Sequence, residues 1–496
     1  MESFLEAFES SGNYLRDHIA RLAELATSED RETAKQATGA FFTSLVERLG
    51  DSFEPRAVAL YNRAFAQLIQ RCRESDRSGA LTGELTRFGL GSEDEIVARA
   101  DTLRHRRPRA ALSEASLEMR RVIALSRVTL GADVAITSVM IERMKRAFPR
   151  AEITLVGGRK AAELFGGDAR LSFKEINYSR GGATIERMLS WIDVLGCVRE
   201  LTYGLRRGQY LILDPDSRLT QLGLLPVSCA VESFDETGGE TVGHGSLLDD
   251  DYLFFPSREY RSDSAQSLGQ LASDWLDETF GYEETTHPHV SLTRSDIEAA
   301  SVLVKRMRRD ARPIISINFG VGGNQSKRIG DGFEARLVNH LIQDGAAIIF
   351  DKGAGEDEMQ RANDVISSVA RSSREGRAVS EIEIDEDYMK ALASADVVNA
   401  DLIVWGGRIG VLAALISESD LYIGYDSAGQ HIAAALGVPS IDVFAGFSSL
   451  RMLDRWRPTG KAESRVVAVD KQAKADTDAL ISNVLRHARE MLRSRR

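Results

Sequence analysis

The apolar run Leu421-Tyr422-Ile423-Gly424-Tyr425 leads into Asp426-Ser427-Ala428-Gly429-Gln430-His431 and then into the small, apolar stretch Ile432–Leu436. This pattern reads as a strand, a tight turn and a helix that starts at once. The first turn of a helix has backbone N–H groups without partners, and the helix dipole is positive at that end. The turn therefore suits an anion, and a nucleotide diphosphate is a natural ligand. In this reading Ser427 and the backbone near Gly429 hold phosphate oxygens, and His431 meets the phosphate or the group attached to it. A purely local alternative is an N-cap, with Asp426 or Ser427 satisfying the orphan N–H groups. His431 would then be a first-turn polar residue bonded to a neighbouring strand.

Other clusters of polar residues carry less weight. Gly320-Val321-Gly322-Gly323 follows the apolar run Ile314–Phe319 and precedes two cations, Lys327 and Arg328. Glycine-rich spacing alone is weak evidence for a phosphate loop. Asp214-Pro215-Asp216 follows another apolar run, Tyr210–Leu213, with Arg218 just beyond. A DxD of this kind can hold a metal and a diphosphate, but a strand-end turn is the simpler reading. His287-Pro288-His289 offers too few ligands for a metal site, and no GxSxG, HExxH or full phosphate-loop motif is present.

Strands and helices in alternation are what position such residues. Val122–Leu125, a glycine loop, an apolar helical pattern to Phe148 and the strand Ile153–Val156 form a βαβ unit, which implies a parallel sheet. A helix near 181–195 and the strand Tyr210–Leu213 continue it. A second series starts after residue 312, with strands at Ile314–Phe319, Ala346–Phe350, Leu421–Tyr425 and, last, Ser440–Phe444. The spacing predicts helices over 331–344, 356–371 and 471–494. Before all this, residues 1–112 read as helical: Leu5, Phe8, Leu15, Ile19, Leu22 and Leu25 recur at mostly three- and four-residue steps, and further helices are expected over 31–49 and 55–74. The run His105-Arg106-Arg107-Pro108-Arg109 reads as a linker, and 233–251 as a polar loop. The expected division is a helical segment over 1–112 and two doubly wound halves over 113–300 and 301–496. Ligands of open parallel sheets bind beyond the carboxyl ends of the strands, so two such halves suggest a donor and an acceptor site facing across a cleft.

With 63 Lys and Arg against 74 Asp and Glu, the chain has a formal charge of −11, which argues against nucleic acid as a partner. Cys72, Cys197 and Cys229 form no pair or ligand spacing, as expected of a reducing, cytoplasmic setting. No apolar run approaches the ~20 residues of a membrane span. Peripheral contact with a membrane through the basic run, and a homodimer through the helical segment, stay open.

Residues 313–359 and 410–446 together resemble the donor half of the heptosyltransferases, glycosyltransferase family 9. Lys327 matches the family's phosphate-contacting lysine, and Asp426, Ser427 and His431 match its second motif with the same Asp-to-His spacing. Ala428 stands where the family has glycine, and Gly429 follows. Leu125–Val134 and Phe148–Ile153 resemble the family's first strand, its Gly-Asp loop and the entry to the next strand. Ala132 is inserted there, between Gly131 and Asp133. The resemblance spans roughly 121–460 and leaves residues 1–112 uncovered.

The resemblance implies a GT-B fold and inverting, metal-independent sugar transfer from a nucleotide-diphosphate sugar, with no other cofactor. Asp133 would take the proton of the acceptor hydroxyl, and Lys327, with Arg328, would stabilise the leaving diphosphate. Glu356, after Gly353-Ala354-Gly355, would accept a bond from a ribose hydroxyl. Local alternatives remain: an N-cap for Asp133, a solvated loop cation for Lys327, and a first-turn acid favoured by the helix dipole for Glu356. Two other functions fit the same elements, an epimerase acting on the nucleotide sugar itself and a non-catalytic nucleotide-sugar-binding scaffold.

Overall fold

The computed structural model describes residues 5, 8, 12–75, 79–105, 118–178, 182–227, 233–234, 240–241, 251–281, 283–308, 312–322, 324–330, 332–353, 355–372, 378–383, 400–470, 474 and 476–494. Arg106–Arg109, Cys229, Gly323, Ala354 and most of the polar stretch over 233–251 lie outside them. The chain divides by packing into two units. One holds residues 1–128, 140–159 and 170–286; the other holds 129–139, 160–169 and 287–496.

In the first unit, helices α1 (Arg16–Ala26), α2 (Arg31–Phe41), α3 (Pro55–Arg73), α4 (Gly79–Arg87) and α5 (Glu93–His105) come first. Local chemistry sets their ends. Asp30 accepts from Thr33 N at 3.0 Å to cap α2. Pro55 opens α3, where its missing N–H costs no intrahelical bond. Strand β1 (Arg121–Leu125), helix α6 (Ser138–Ala147), β2 (Glu152–Gly157), α7 (Arg159–Phe165), β3 (Leu171–Glu175), α8 (Thr184–Thr202), β4 (Tyr210–Asp214), β5 (Tyr252–Phe254) and α9 (Leu268–Phe280) follow. The sheet order is β3-β2-β1-β4-β5 and every pairing is parallel. Helix α7 and the first residues leading into α6 pack with the second unit.

Within the first unit the helical segment and the sheet share one core. Phe41, Phe65, Leu68 and Ile69 are buried in the same cluster as Ile123, Trp191, Ile212 and Leu225. Polar contacts tie the two together as well. Thr38 and Thr184 share a hydroxyl bond of 2.8 Å, Glu84 pairs with Arg199 at 2.6 Å, and Arg99 donates to Gly223 O at 2.5 Å. Amphipathic helices that bury their apolar stripes on a sheet have no need of a core of their own.

The second unit continues with α10 (Arg294–Met307), β6 (Ile314–Asn318), α11 (Phe333–Gln343), β7 (Ala347–Asp351), α12 (Glu356–Ser372), β8 (Ala378–Glu383), β9 (Ala400–Gly406), α13 (Ile409–Ser417), β10 (Leu421–Tyr425), α14 (Ala428–Ala435), β11 (Ser440–Ala445), α15 (Leu450–Trp456), β12 (Ser464–Val469) and α16 (Thr477–Arg493). Its parallel sheet runs β8-β9-β7-β6-β10-β11-β12. The run Ser440–Phe444, expected to be the last strand, is followed by one more: β12 adds an edge whose first three residues are only partly buried, which blurs its apolar signal. Leu480, Ile481, Val484 and Leu485 of α16 complete the core below it. Among the described residues, no helix is long and apolar enough to cross a membrane.

Candidate functional site

The second unit brings the two sequence motifs together, although they lie almost three hundred positions apart. After β1 the chain passes through Thr129–Val139 before α6, and this segment packs with the second unit. Gly131 makes the close approach. A β-carbon there would sit 3.2 Å from His431 Cδ2 and 3.3 Å from Ala428 Cα, tighter than ordinary van der Waals contact. The loop bearing Asp133 therefore lies against the start of α14. Asp133 opens a π-helical turn, Asp133–Thr137, and is buried. Its Oδ1 accepts the Thr137 hydroxyl at 2.9 Å, which fixes the carboxylate one helical turn away from its own backbone.

Lys327 reaches across from the loop after β6. Its Nζ donates to the Asp426 carboxylate and, at 3.3 Å, to the Asp426 carbonyl. Asp426 is buried and also accepts from Gln430 Nε2 at 2.8 Å. Ser427 occupies the N-cap position of α14 without capping it. Its hydroxyl points instead to Asn318 Oδ1, 3.4 Å away. The N-cap alternative for Ser427 is thereby corrected, since its extended backbone turns the hydroxyl toward the end of β6. His431 lies inside α14, not in the turn before it. Burial first, then the charge of Lys327, pushes its imidazole down to about 4 against the opposing pull of Asp426. A neutral ring results. Gly429 serves packing: a β-carbon there would strike the hydroxyl of buried Tyr422.

Two more of the expected donor-site residues differ in burial. Arg328 is buried, with Nη1 3.4 Å from Glu334 Oε1, an oxygen that also accepts the Tyr425 hydroxyl at 3.1 Å. Glu356 is exposed in the first turn of α12, while Glu358 turns back toward the strand ends. A β-carbon on Gly320 would meet Glu358 Oε1 at 3.0 Å, and one on Gly353 would strike its other oxygen.

Two acids, one half-buried and one buried, escaped the motif reading. Asp351, at the end of β7, takes bonds from Asn318 Nδ2 and, at 3.2 Å, from Gly353 N. Burial above all pushes its carboxyl up to about 6, against those bonds. Asp442 on β11 stands in register with Gly424 and is fully buried. Neither of its oxygens has a hydrogen-bond partner among the described residues. Burial, then the charge of Asp426, raises it well above the usual carboxylate range, with Lys327 opposing. The available signal was an acid inside the otherwise apolar run Ser440–Ala445.

The Asp214-Pro215-Asp216 turn is internally satisfied. Asp214 accepts from the Tyr252 hydroxyl at 2.6 Å, Thr220 Oγ1 at 2.7 Å and Ser217 N at 2.7 Å; Asp216 accepts from Ser257 Oγ at 2.8 Å and Arg258 Nε at 3.0 Å. With those oxygens engaged and buried, the simpler strand-end reading describes it. Among the described residues, no group of three or more His, Cys, Asp or Glu is placed to hold a metal ion.

Residues 407–483 match the family model described as glycosyltransferase family 9 (heptosyltransferase). No curated protein matches the chain. Among solved structures, a glycosyl transferase family 9 protein from Veillonella parvula is similar at 15% identity, over 76% of this chain and 99% of its own, with a TM-score of 0.51. The E. coli ADP-heptose lps heptosyltransferase II matches at 13% identity, over 76% and 99%, with a TM-score of 0.48. An E. coli heptosyltransferase with ADP matches at 14% identity, over 75% and 99%, with a TM-score of 0.43. The first of these likenesses bears out the GT-B fold class, here preceded by helices. The matched segment contains Asp426, Ser427, Gly429 and His431, so the family that the sequence resembles and the family whose model matches residues 407–483 are the same, the family 9 glycosyltransferases.

Proposed function

We propose that this protein is an inverting, metal-independent glycosyltransferase that moves a sugar from a nucleotide-diphosphate donor to an acceptor hydroxyl. The observation that carries the proposal is the meeting of the Asp133 loop with the start of α14, beside Lys327. The donor diphosphate would lie at the N–H groups of α14, where the dipole favours negative charge. Lys327, held by both oxygen types of Asp426, supplies a fixed positive charge as the diphosphate leaves. Neutral His431 stabilises by hydrogen bonding and adds no further charge.

Asp133 would accept the proton of the acceptor hydroxyl as that oxygen attacks the anomeric carbon. The Thr137 bond keeps its carboxylate in one rotamer, which supports a geometric role. The donor half is assigned to the second unit and the acceptor half to the first. Arg328 and Glu356 enter this proposal only weakly, because one is bound to Glu334 and the other is exposed.

The test is thermal stabilisation of the full chain by ADP, GDP, UDP, dTDP and CDP, each with magnesium and with EDTA. A ligand of the folded state raises the melting temperature. One diphosphate should do so equally in EDTA, and its sugar conjugates are then the donors to assay. No shift from any of the five would overturn the proposal, and a shift lost in EDTA would overturn its metal independence.

A further inference from the structure

A second group of polar side chains gathers in the first unit, beyond the carboxyl ends of its strands. Tyr178 follows β3, Arg187 lies in the first turn of α8, Arg218 follows β4 and Arg258 follows β5. Ligands of parallel sheets bind at this edge. The helical segment contributes from the other side. The Arg187 guanidinium stacks on Phe42, 3.8 Å from the ring centroid, and that of Arg258 lies 4.8 Å from the centroid of Tyr61.

Three arginines gather here against two acids, Asp216 and Glu47; Arg187 feels Glu47 and also donates to Gly182 O at 3.1 Å. Arg258 is neutralised by Asp216 at 3.0 Å. Arg218 is partly exposed, and its guanidinium has no hydrogen bond or ion pair among the described residues. It lies within electrostatic reach of both Arg187 and Tyr61. Several buried polar atoms around it also have no hydrogen-bond partner: the Tyr61 hydroxyl, Arg258 Nη1 and both amide atoms of Gln221. Gln221 closes the turn that starts at Arg218, its N–H donating to Arg218 O at 3.1 Å, and its φ of 50° is costly for a residue with a side chain. Buried donors are almost always satisfied, and like charges are seldom gathered without an opposing one.

We propose that Arg218, with Arg187, Arg258 and the Tyr61 hydroxyl, forms a binding site for a phosphate or carboxylate group. Arginine suits both, since its planar fork matches two anionic oxygens. The site needs the helical segment, which supplies Tyr61 and Phe42. That the anion belongs to the sugar acceptor rests on the proposed transferase reading; the site itself does not.

The experiment compares full-length wild type, Arg218→Ala and Arg218→Lys in inorganic phosphate or in acetate, with sodium chloride holding ionic strength equal. To separate this site from the diphosphate site, each is also made with Lys327→Ala. Without phosphate, Arg218→Ala should melt higher than wild type, because a cation has left a like-charged group. It should then need at least tenfold more phosphate for the same stabilisation, in both Lys327 backgrounds, and Arg218→Lys should restore most of the response. A larger response to phosphate than to acetate identifies a phosphoryl group, the reverse a carboxylate. An Arg218→Ala protein that melts lower than wild type, or that responds to phosphate as wild type does, overturns the proposal. Loss of the response on Lys327→Ala alone, with none left for Arg218, also overturns it while favouring the diphosphate reading.

Discussion

Asp216 and Asp426 both follow a buried parallel strand, and both face a cation across a turn. Asp216 is saturated by Ser257 and by two nitrogens of Arg258, all buried, and its strand-end turn is closed on itself. Asp426 instead holds Lys327, a side chain from another loop, beside a helix start that Ser427 leaves uncapped. The difference teaches that an acid after a strand is a structural hub when its own loop uses up its oxygens. It is a candidate for a ligand site when it holds a cation beside an uncapped helix start.

The sharpest way to break this comparison is Asp216→Ala. Removing one partner strands a buried guanidinium, so unfolding free energy should fall by about 3–5 kcal/mol, measured by denaturant titration. A loss below about 1 kcal/mol would mean Asp216 is no hub. On the opposite side, Asp133→Asn should lower kcat by roughly 10²–10⁴-fold, the usual worth of a general base, with diphosphate affinity unchanged. A normal turnover number removes Asp133 from the chemistry.

His431 offers a pH test of its burial. Its folded value of about 4 lies below its ordinary 6.5, so between these values the unfolded chain binds the extra proton. Its contribution is complete above pH 6.5 and is lost as pH falls toward 4, up to ~3 kcal/mol. Asp351, raised to about 6, works in the other direction over a similar range, gaining stability as pH falls. The comparison is therefore the difference between wild type and His431→Gln. Their stabilities should converge or cross on acidification from pH 7 to 4.5; parallel curves would mean an ordinary, solvated imidazole. Smallest is Lys327→Ala, which should weaken diphosphate binding by about 1.5–3 kcal/mol, the range for a charged hydrogen bond. Calorimetric titration with the diphosphate found by thermal shift measures it, and unchanged affinity would put Lys327 outside the site.

Much of the second unit was legible in the chain. Leu421–Tyr425 is an apolar strand, the small residues after Ser427 permit a helix to start at once, and the spacing from Asp426 to His431 carries the family resemblance. Strands at sheet edges were harder. Ser464–Val469 has a partly exposed start; inside the sheet, Ala400–Gly406 is a short run, apolar but for Asp401, of the kind that periodicity cannot assign. The surroundings of Arg328 and Glu356 were not legible. Arg328 was read from its neighbour Lys327, and Glu356 from the acids the family has near that place, whereas adjacent side chains on a loop or helix diverge.

By itself the sequence determined the alternation of strands and helices, hence two parallel sheets, and it singled out Lys327, Asp426 and the Gly131–Asp133 loop. Local patterns suffice for these because periodicity and turn chemistry act over a few residues. Only the tertiary structure decided that Gly131 touches Ala428 and His431, that Asp442 lies buried near Asp426, and that Phe42 and Tyr61 of the helical segment meet Arg187 and Arg258. Those contacts join residues far apart in the chain. They depend on which apolar faces are buried together, and no short window of sequence carries that information.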